Sequence, residues 1–430
     1  MTQPVHADVE TGAPLPEEPP PQVRLTPRQW MEQNLFGTWY DTVLTVVFGI
    51  GIGVVVFFGL RFILVTARWE IIRVGLTSLM VGLFPRPELW RVWVALFVIV
   101  LSIGFAVGGA RRMVLAEEED EAGSEAEGLG LRPRVDLWDL WRRLWPVLTF
   151  LAVILGFSES LQTALWLVLL LVGTYATYYI GSRLPRSAAR YWLLAGLVGM
   201  VGAFGIVIWF GGVGWDQWGG LMLTLFLAVA AILLSFPLGV GAALGRRSSL
   251  PGISLVSVAY IELIRGVPLI TLLLTGQLML GLFFPRDVVP GLVVRSIIML
   301  TLFTGAYVAE IVRGGLQGVP QGQYEAAQAL GLSPTQMTRR IVLPQALRNV
   351  IPAMVGQFIS LFKDTSLVSV IALTDLLRVA RFQLPAQGDF AGQGLFAETM
   401  LFAGFVYWVF AYTMSRESQR LERRLGVGER

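Results

Sequence analysis

The chain has 430 residues, of which 55% are hydrophobic and only 15% charged, with a net charge of +3. A water-soluble domain carries about 25% charged residues, so this balance points away from a soluble globule, and arginines scattered between apolar blocks do not make a nucleic-acid face. There is no cysteine, and His6 is the only histidine, which excludes disulfides, thiolate metal sites and imidazole chemistry in the core.

Residues 1–22 are rich in Pro, Glu and Gln and read as a disordered tail without a cleavable signal peptide, part of a cytoplasmic tail over 1–40. The first spanning helix then serves as the insertion signal. Thr42 to Leu60 and Val92 to Ala110 carry no charge, and Ser160 to Ser182, Tyr191 to Trp215 and Gln217 to Gly245 are longer apolar blocks. About 20 apolar residues at 1.5 Å rise cover a hydrocarbon core of roughly 30 Å. In lipid the backbone must satisfy its own hydrogen bonds, so each block is expected to be a helix.

The expected fold is all-α, a polytopic bundle of about ten spans near 42–64, 91–110, 141–158, 160–182, 191–213, 218–245, 265–285, 290–312, 350–373 and 397–415. Two spans lie in 41–115 together with an amphipathic helix at 70–84, whose apolar spacing places it on the membrane surface. An acidic linker at 116–137 follows, then three further spans over 138–215 with many Trp residues, an interfacial belt signal. Arg placement puts the loops at 111–112, 142–143, 183–190, 246–247, 339–340 and 416–424 in the cytoplasm, with both termini. Arg61, Arg68 and Arg73 disagree: either the first spans are miscounted or the surface helix overrides the rule.

The loop 313–350 is the most informative stretch. Gln323 to Leu330 is Ala-rich and helical, and Gly331 supplies a positive-φ stop. Ser333 is an N-cap, with Pro334 at the first helical position and Gln336 completing a capping box. The second helix is expected to run to about Leu343, where Pro344 breaks it. Such a helix–turn–helix can fold back on its own bundle or dock a partner. Glu325-Ala326-Ala327, then Gly331, then Ile341, Leu343 and Pro344, resembles the cytoplasmic loop of ABC importer permeases at every defined position. In that family this loop inserts into a groove on the ATPase, so the resemblance implies a coupling role for Glu325, Ala326, Ala327, Gly331, Leu332, Ile341, Leu343 and Pro344.

Tyr260 to Leu269, Gly305 to Gly315 and Phe362 to Val368 resemble the polar amino acid branch of that family. Glu262 and Arg265, three apart, can pair on one helix face, either as a salt-bridged helix entrance or as substrate contacts. Lys363 and Asp364 fall inside the ninth span. Charges there should face a cavity or the bundle interior, and neighbours about 100° apart on a helix cannot simply neutralise each other. Glu310 is a candidate partner for Lys363. Glu262, Arg265, Glu310, Lys363, Asp364, Thr365 and Ser366 are the candidate pathway residues. No metal site and no catalytic residue are expected.

The resemblance covers about residues 216–415 and implies a type I ABC importer permease core. With the extra N-terminal spans the chain looks like the long permease of a two-permease amino acid system in a bacterial inner membrane. It implies a paralogous permease, a periplasmic amino acid binding protein and an ABC ATPase dimer that holds ATP and Mg. No GxxxxGK[ST] occurs, so no ATPase is expected within this chain, and none of the cofactors is its own. Two rivals are an ion-coupled transporter or channel using Glu262, Glu310 and Asp364, and a membrane scaffold without transport.

Overall fold

The structure, a computed structural model, describes residues 26–122, 137–158, 160–189, 191–208, 212–285 and 288–425. The tail at 1–22, most of the acidic linker and the last five residues lie outside the described residues. Two compact units divide at Ala67.

The first unit holds α1 (Pro27–Asn34) and α2 (Trp39–Arg61), which runs on through a π turn to Thr66. A helix therefore stands within the expected cytoplasmic tail. Thr26 and Gln29 form a reciprocal capping box and Pro27 occupies the first turn, so this terminus has the local chemistry a helix start needs. Thr38 and Asp41 cap α2 in the same way. Among the described residues of its own unit, α2 has none buried, as a lipid-facing span would.

The second unit contains α3 (Glu70–Val81), α4 (Leu89–Ala122), α5 (Leu137–Phe157), α6 (Leu161–Ser182), α7 (Arg186–Ala189) and α8 (Trp192–Ile208). It continues with α9 (Gly220–Arg246), α10 (Pro251–Arg265), α11 (Leu269–Leu278), α12 (Leu292–Gln317), α13 (Gln321–Ala329), α14 (Pro334–Met337), α15 (Leu343–Asp364), α16 (Leu376–Arg378) and α17 (Phe396–Leu425). Among the described residues the only strand-like pairing is a bridge between Gly220 and Asp375.

Seven helical stretches are long and apolar enough to cross a membrane, or eight if the bent pair α10–α11 is one span. Trp145–Phe157 and Leu194–Val207 are apolar but shorter. Seven or eight spans thus stand against the ten expected, the expected spans at 141–158 and 191–213 being met by these two shorter helices, and three segments differ in their course. The span placed at 265–285 is a broken pair, Pro251–Arg265 and Leu269–Leu278, bent by 105°. Pro268 lacks an N–H and biases Val267 out of helical geometry, so the chain turns there instead of running straight. The acidic linker starts inside α4, which continues to Ala122, because Ala and Glu are strong helix formers.

The third difference is α3. It is amphipathic and not a span, as its periodicity predicts, but its apolar face is covered by protein. Ile71, Ile72 and Leu79 are fully buried with Leu221, Leu376, Leu384 and Phe402 in one core. Gly75 lies where any side chain would collide with Leu384, and Gly82 (φ +63) passes directly over Gly219. α3 therefore docks on the end of the bundle where α9 begins, and Arg68 and Arg73 sit at the end opposite Arg246. Burial of the helix face, and not loop charge, sets its place.

Small residues also join α4 to α6. A methyl group on Gly108 would strike the Tyr178 carbonyl, and one on Gly181 would approach the Phe105 carbonyl at 2.5 Å. In lipid, where apolar surface alone gives little drive for association, close backbone approach of this kind holds helices together. A second core mixes both halves of the chain: Val81, Phe84, Ala203 and Val207 pack with Trp218, Leu223, Leu227 and Leu300.

Candidate functional site

The 313–350 region folds into α13, a turn, and α14 leading into α15. α13 ends as its sequence dictates: Gly331 takes φ +70, and the Leu332 N–H donates to the Ala327 carbonyl at 3.2 Å, closing a Schellman-type end. Ser333 and Gln336 form the expected capping box at the start of α14. Pro344 does not break the second helix. A π turn over Thr338–Val342 widens the coil just before it, and Pro344 then sits in the first turn of α15, where its missing N–H costs little. Pro334 to Ile371 is thus one continuous helical stretch of 38 residues, which couples the turn mechanically to a membrane span.

The knuckle has two faces. Ala327 is completely buried against a core with Val312, Leu316, Val342 and Ala346. Tyr324 donates to the Leu316 carbonyl at 3.1 Å and accepts from Arg247 at 3.3 Å, pinning α13 to α12 and to the end of α9. Glu325, Ala326, Gly331 and Pro344 point outward, while Leu332, Ile341 and Leu343 are half-buried. Leu330, which the motif does not mark, is 78% exposed at the tip. A large apolar side chain beside Gly331, on a segment too polar to face lipid, offers a contact to something outside the chain.

A second group forms around Glu310. It takes the Arg313 Nε–H at 3.0 Å, with Arg265 at 3.4 Å and Arg246 at 3.6 Å. Arg246 also donates to Glu262 at 3.0 Å. The expected pairs are therefore replaced. Glu262 pairs with Arg246 across helices and not with Arg265, and Glu310 belongs to three arginines and not to Lys363. Geometry explains the second change. Gly315 packs on Ala346 and Val350, which sets Glu310 level with the first half of α15, whereas Lys363 stands on the order of 15 Å further along at 1.5 Å per residue. Arg265 keeps its Nε–H buried without an acceptor and stacks 5.6 Å from the Tyr307 ring.

The last candidates sit at the far end of α15. Lys363 is exposed, Asp364 and Ser366 are half-buried, and Thr365 is fully buried with its hydroxyl on the Phe362 carbonyl at 2.6 Å. The structure divides the seven pathway candidates between two levels.

Beyond this end lies a carboxylate that sequence reasoning missed. Asp375 is fully buried and caps α16, accepting from Leu377 and Arg378 N–H groups, each at 3.1 Å. Burial pushes its carboxyl up to about 7, against the pull of those N–H groups and of the Arg378 charge. A carboxyl that holds its proton more tightly when folded loses stability as pH rises from its unfolded value, about 4, to about 7. Asp375→Asn keeps one capping oxygen and removes the charge. Its detergent-solubilised unfolding temperature should therefore be nearly flat from about pH 5 to about pH 8, while the wild type falls by several degrees. A wild-type curve as flat as the variant's would refute the shift.

Residues 235–427 match the family model for binding-protein-dependent transport system inner membrane components. The chain is 46% identical over 210 residues to the glutamate/glutamine/aspartate/asparagine transport system permease protein BztC of Rhodobacter capsulatus, an alignment covering 49% of this chain and 48% of that one. It is 47% identical over 212 residues to the inner membrane amino-acid ABC transporter permease protein YhdY of Escherichia coli, covering 49% of this chain and 57% of that one. The match therefore spans about half the length of these two relatives. The probable glutamine ABC transporter permease protein GlnP of Bacillus subtilis is 37% identical and is covered over 92% of its length by 48% of this chain. The chain is a multi-pass membrane protein that belongs to the amino acid ABC transporter permeases, within the binding-protein-dependent inner membrane components.

Proposed function

We propose that this chain is a translocation subunit of an ATP-driven importer of polar amino acids. The observation that carries this reading is the two-faced knuckle. One face is pinned by Tyr324 and Ala327 to the spans, while Glu325, Ala326, Leu330 and Gly331 face outward. An ABC ATPase dimer, binding ATP and Mg, docks on that outer face. Its closure is transmitted along the unbroken Pro334–Ile371 helix as rigid-body movement of α9 to α17.

A paralogous permease completes the pathway, and a soluble binding protein delivers substrate at the opposite end. The membrane is the bacterial inner membrane with both termini in the cytoplasm. The names of the relatives support an acidic or amide amino acid as substrate. Glu262, Arg265 and Glu310 form the charged inner stretch of the pathway, Arg265 having a donor to spare. Lys363, Asp364 and Ser366 stand nearer the outer mouth.

The test uses the complex isolated through a tag on this chain and placed in liposomes. Amino acid uptake should require ATP at the knuckle side and binding protein at the other, and should survive collapse of ion gradients by ionophores. Uptake that collapses with the ion gradient and ignores ATP would replace this reading with an ion-coupled transporter.

A further inference from the structure

The end of the second unit remote from the knuckle is built jointly by the N-terminal extension and the permease core. α3 is fastened there at three points. Its buried face meets Leu384 through Gly75, Gly82 crosses Gly219, and Arg68 donates its backbone N–H to Glu398 at 3.2 Å and its guanidinium to Gln393. The segment it braces follows α16 and carries Phe382, 52% exposed, with the guanidinium carbons of Arg378 and Arg381 at 5.9 and 5.0 Å from its ring. Arg378 donates to the Ser369 carbonyl at 2.9 Å. Neither Arg378 nor Arg381 stands in a salt bridge among the described residues.

Arginines at the outer end of a membrane protein run against the usual preference for cytoplasmic loops, so topology does not account for this pair. Two positive charges on one exposed ring, on a braced surface, match the arginine and aromatic anchors that dominate protein interfaces. Arg378 already lies in the field of Asp375, but Arg381 has no salt-bridge partner among the described residues, which fits a negatively charged surface arriving from outside.

We propose that Arg378, Arg381 and Phe382, held in place by α3, form a docking face for an acidic surface of the soluble protein that brings substrate to the permease. This rests on the importer reading above, and it gives the N-terminal extension a mechanical role, with α3 as the brace that presents the docking face.

The experiment measures ATP-driven uptake by the intact complex in phosphatidylcholine vesicles while the binding protein is titrated at several salt concentrations. Arg381→Glu with Phe382→Ala should raise the half-saturating concentration of binding protein about tenfold or more and flatten its salt dependence. Gly75→Leu should move the half-saturating concentration the same way by pushing α3 off Leu384, and adding Leu384→Ala should restore it. An unchanged half-saturating concentration in the Arg381/Phe382 variant overturns the proposal. So does a shift that appears only when anionic lipid is added, which would assign the cluster to headgroups. Wild-type uptake that needs neither ATP nor binding protein is a separate result, since it removes the importer reading itself.

Discussion

Glu325→Lys and Gly331→Asp should each uncouple the chain from its ATPase without unfolding it. Among the described residues nothing lies within 4 Å of a methyl group placed on Gly331, and Glu325 is exposed. The internal cost at Gly331 is the left-handed backbone at φ +70, about 1 kcal/mol for most residues and less for Asp. Any larger effect must come from what approaches from outside. If the knuckle carries an interface hot spot worth about 2 kcal/mol or more, ATPase affinity should fall about thirtyfold or more. ATP-driven uptake should fall with it, while the unfolding temperature moves by only a few degrees. Leu330→Asp should act the same way, because most of the Leu330 side chain is exposed and little packing is lost. ATPase co-purification and uptake at wild-type levels in all three variants would remove the coupling role.

Glu310→Gln should damage both stability and transport. Three arginines (Arg246, Arg265, Arg313) and two glutamates (Glu262, Glu310) give the cluster a net charge of +3 − 2 = +1, and the change raises it to +2. Stripping a partner from a buried ion pair costs about 3–5 kcal/mol. The Glu310 side chain is 23% exposed and its partners about as much, so water screens part of that, and a loss of about 1–3 kcal/mol is expected. The arginines would then spread apart at the inner end of the spans, and uptake should drop by tenfold or more if this cluster lines the route. Adding Arg313→Gln returns the cluster to +1 and should recover part of the stability. A double-mutant cycle would measure that coupling, and additive losses would show that Glu310 and Arg313 do not act as a unit.

The motif at 313–350 was legible because its signals are local. The capping box at Ser333 and Gln336, the positive φ of Gly331 and the small Ala face are each decided by a few consecutive residues. Pro344 misled for the same reason. Read locally it stops a helix, but the π turn before it makes room, and the long span that follows rewards continuity. The charged residues were harder to place. Spacing along one helix suggested Glu262 with Arg265, yet Arg246, arriving from the end of α9, takes Glu262 instead. Asp375 left no sequence signal beyond a cap, because its burial comes from α9 and α17 folding over it.

By itself the amino-acid sequence determined that this chain lives in a membrane as a helical bundle, where the ends of its apolar runs fall, and that it carries a short capped turn with an importer-type motif. Those outcomes follow from hydrophobic length and from hydrogen bonds within a few residues, which need no distant partner. Only the tertiary structure decided that α3 packs on the bundle instead of floating on the membrane surface, that the seventh span is bent, and that Glu310 gathers three arginines. Each of those depends on which helix faces come together, and long-range packing and ion pairing select among partners that sequence spacing leaves equal.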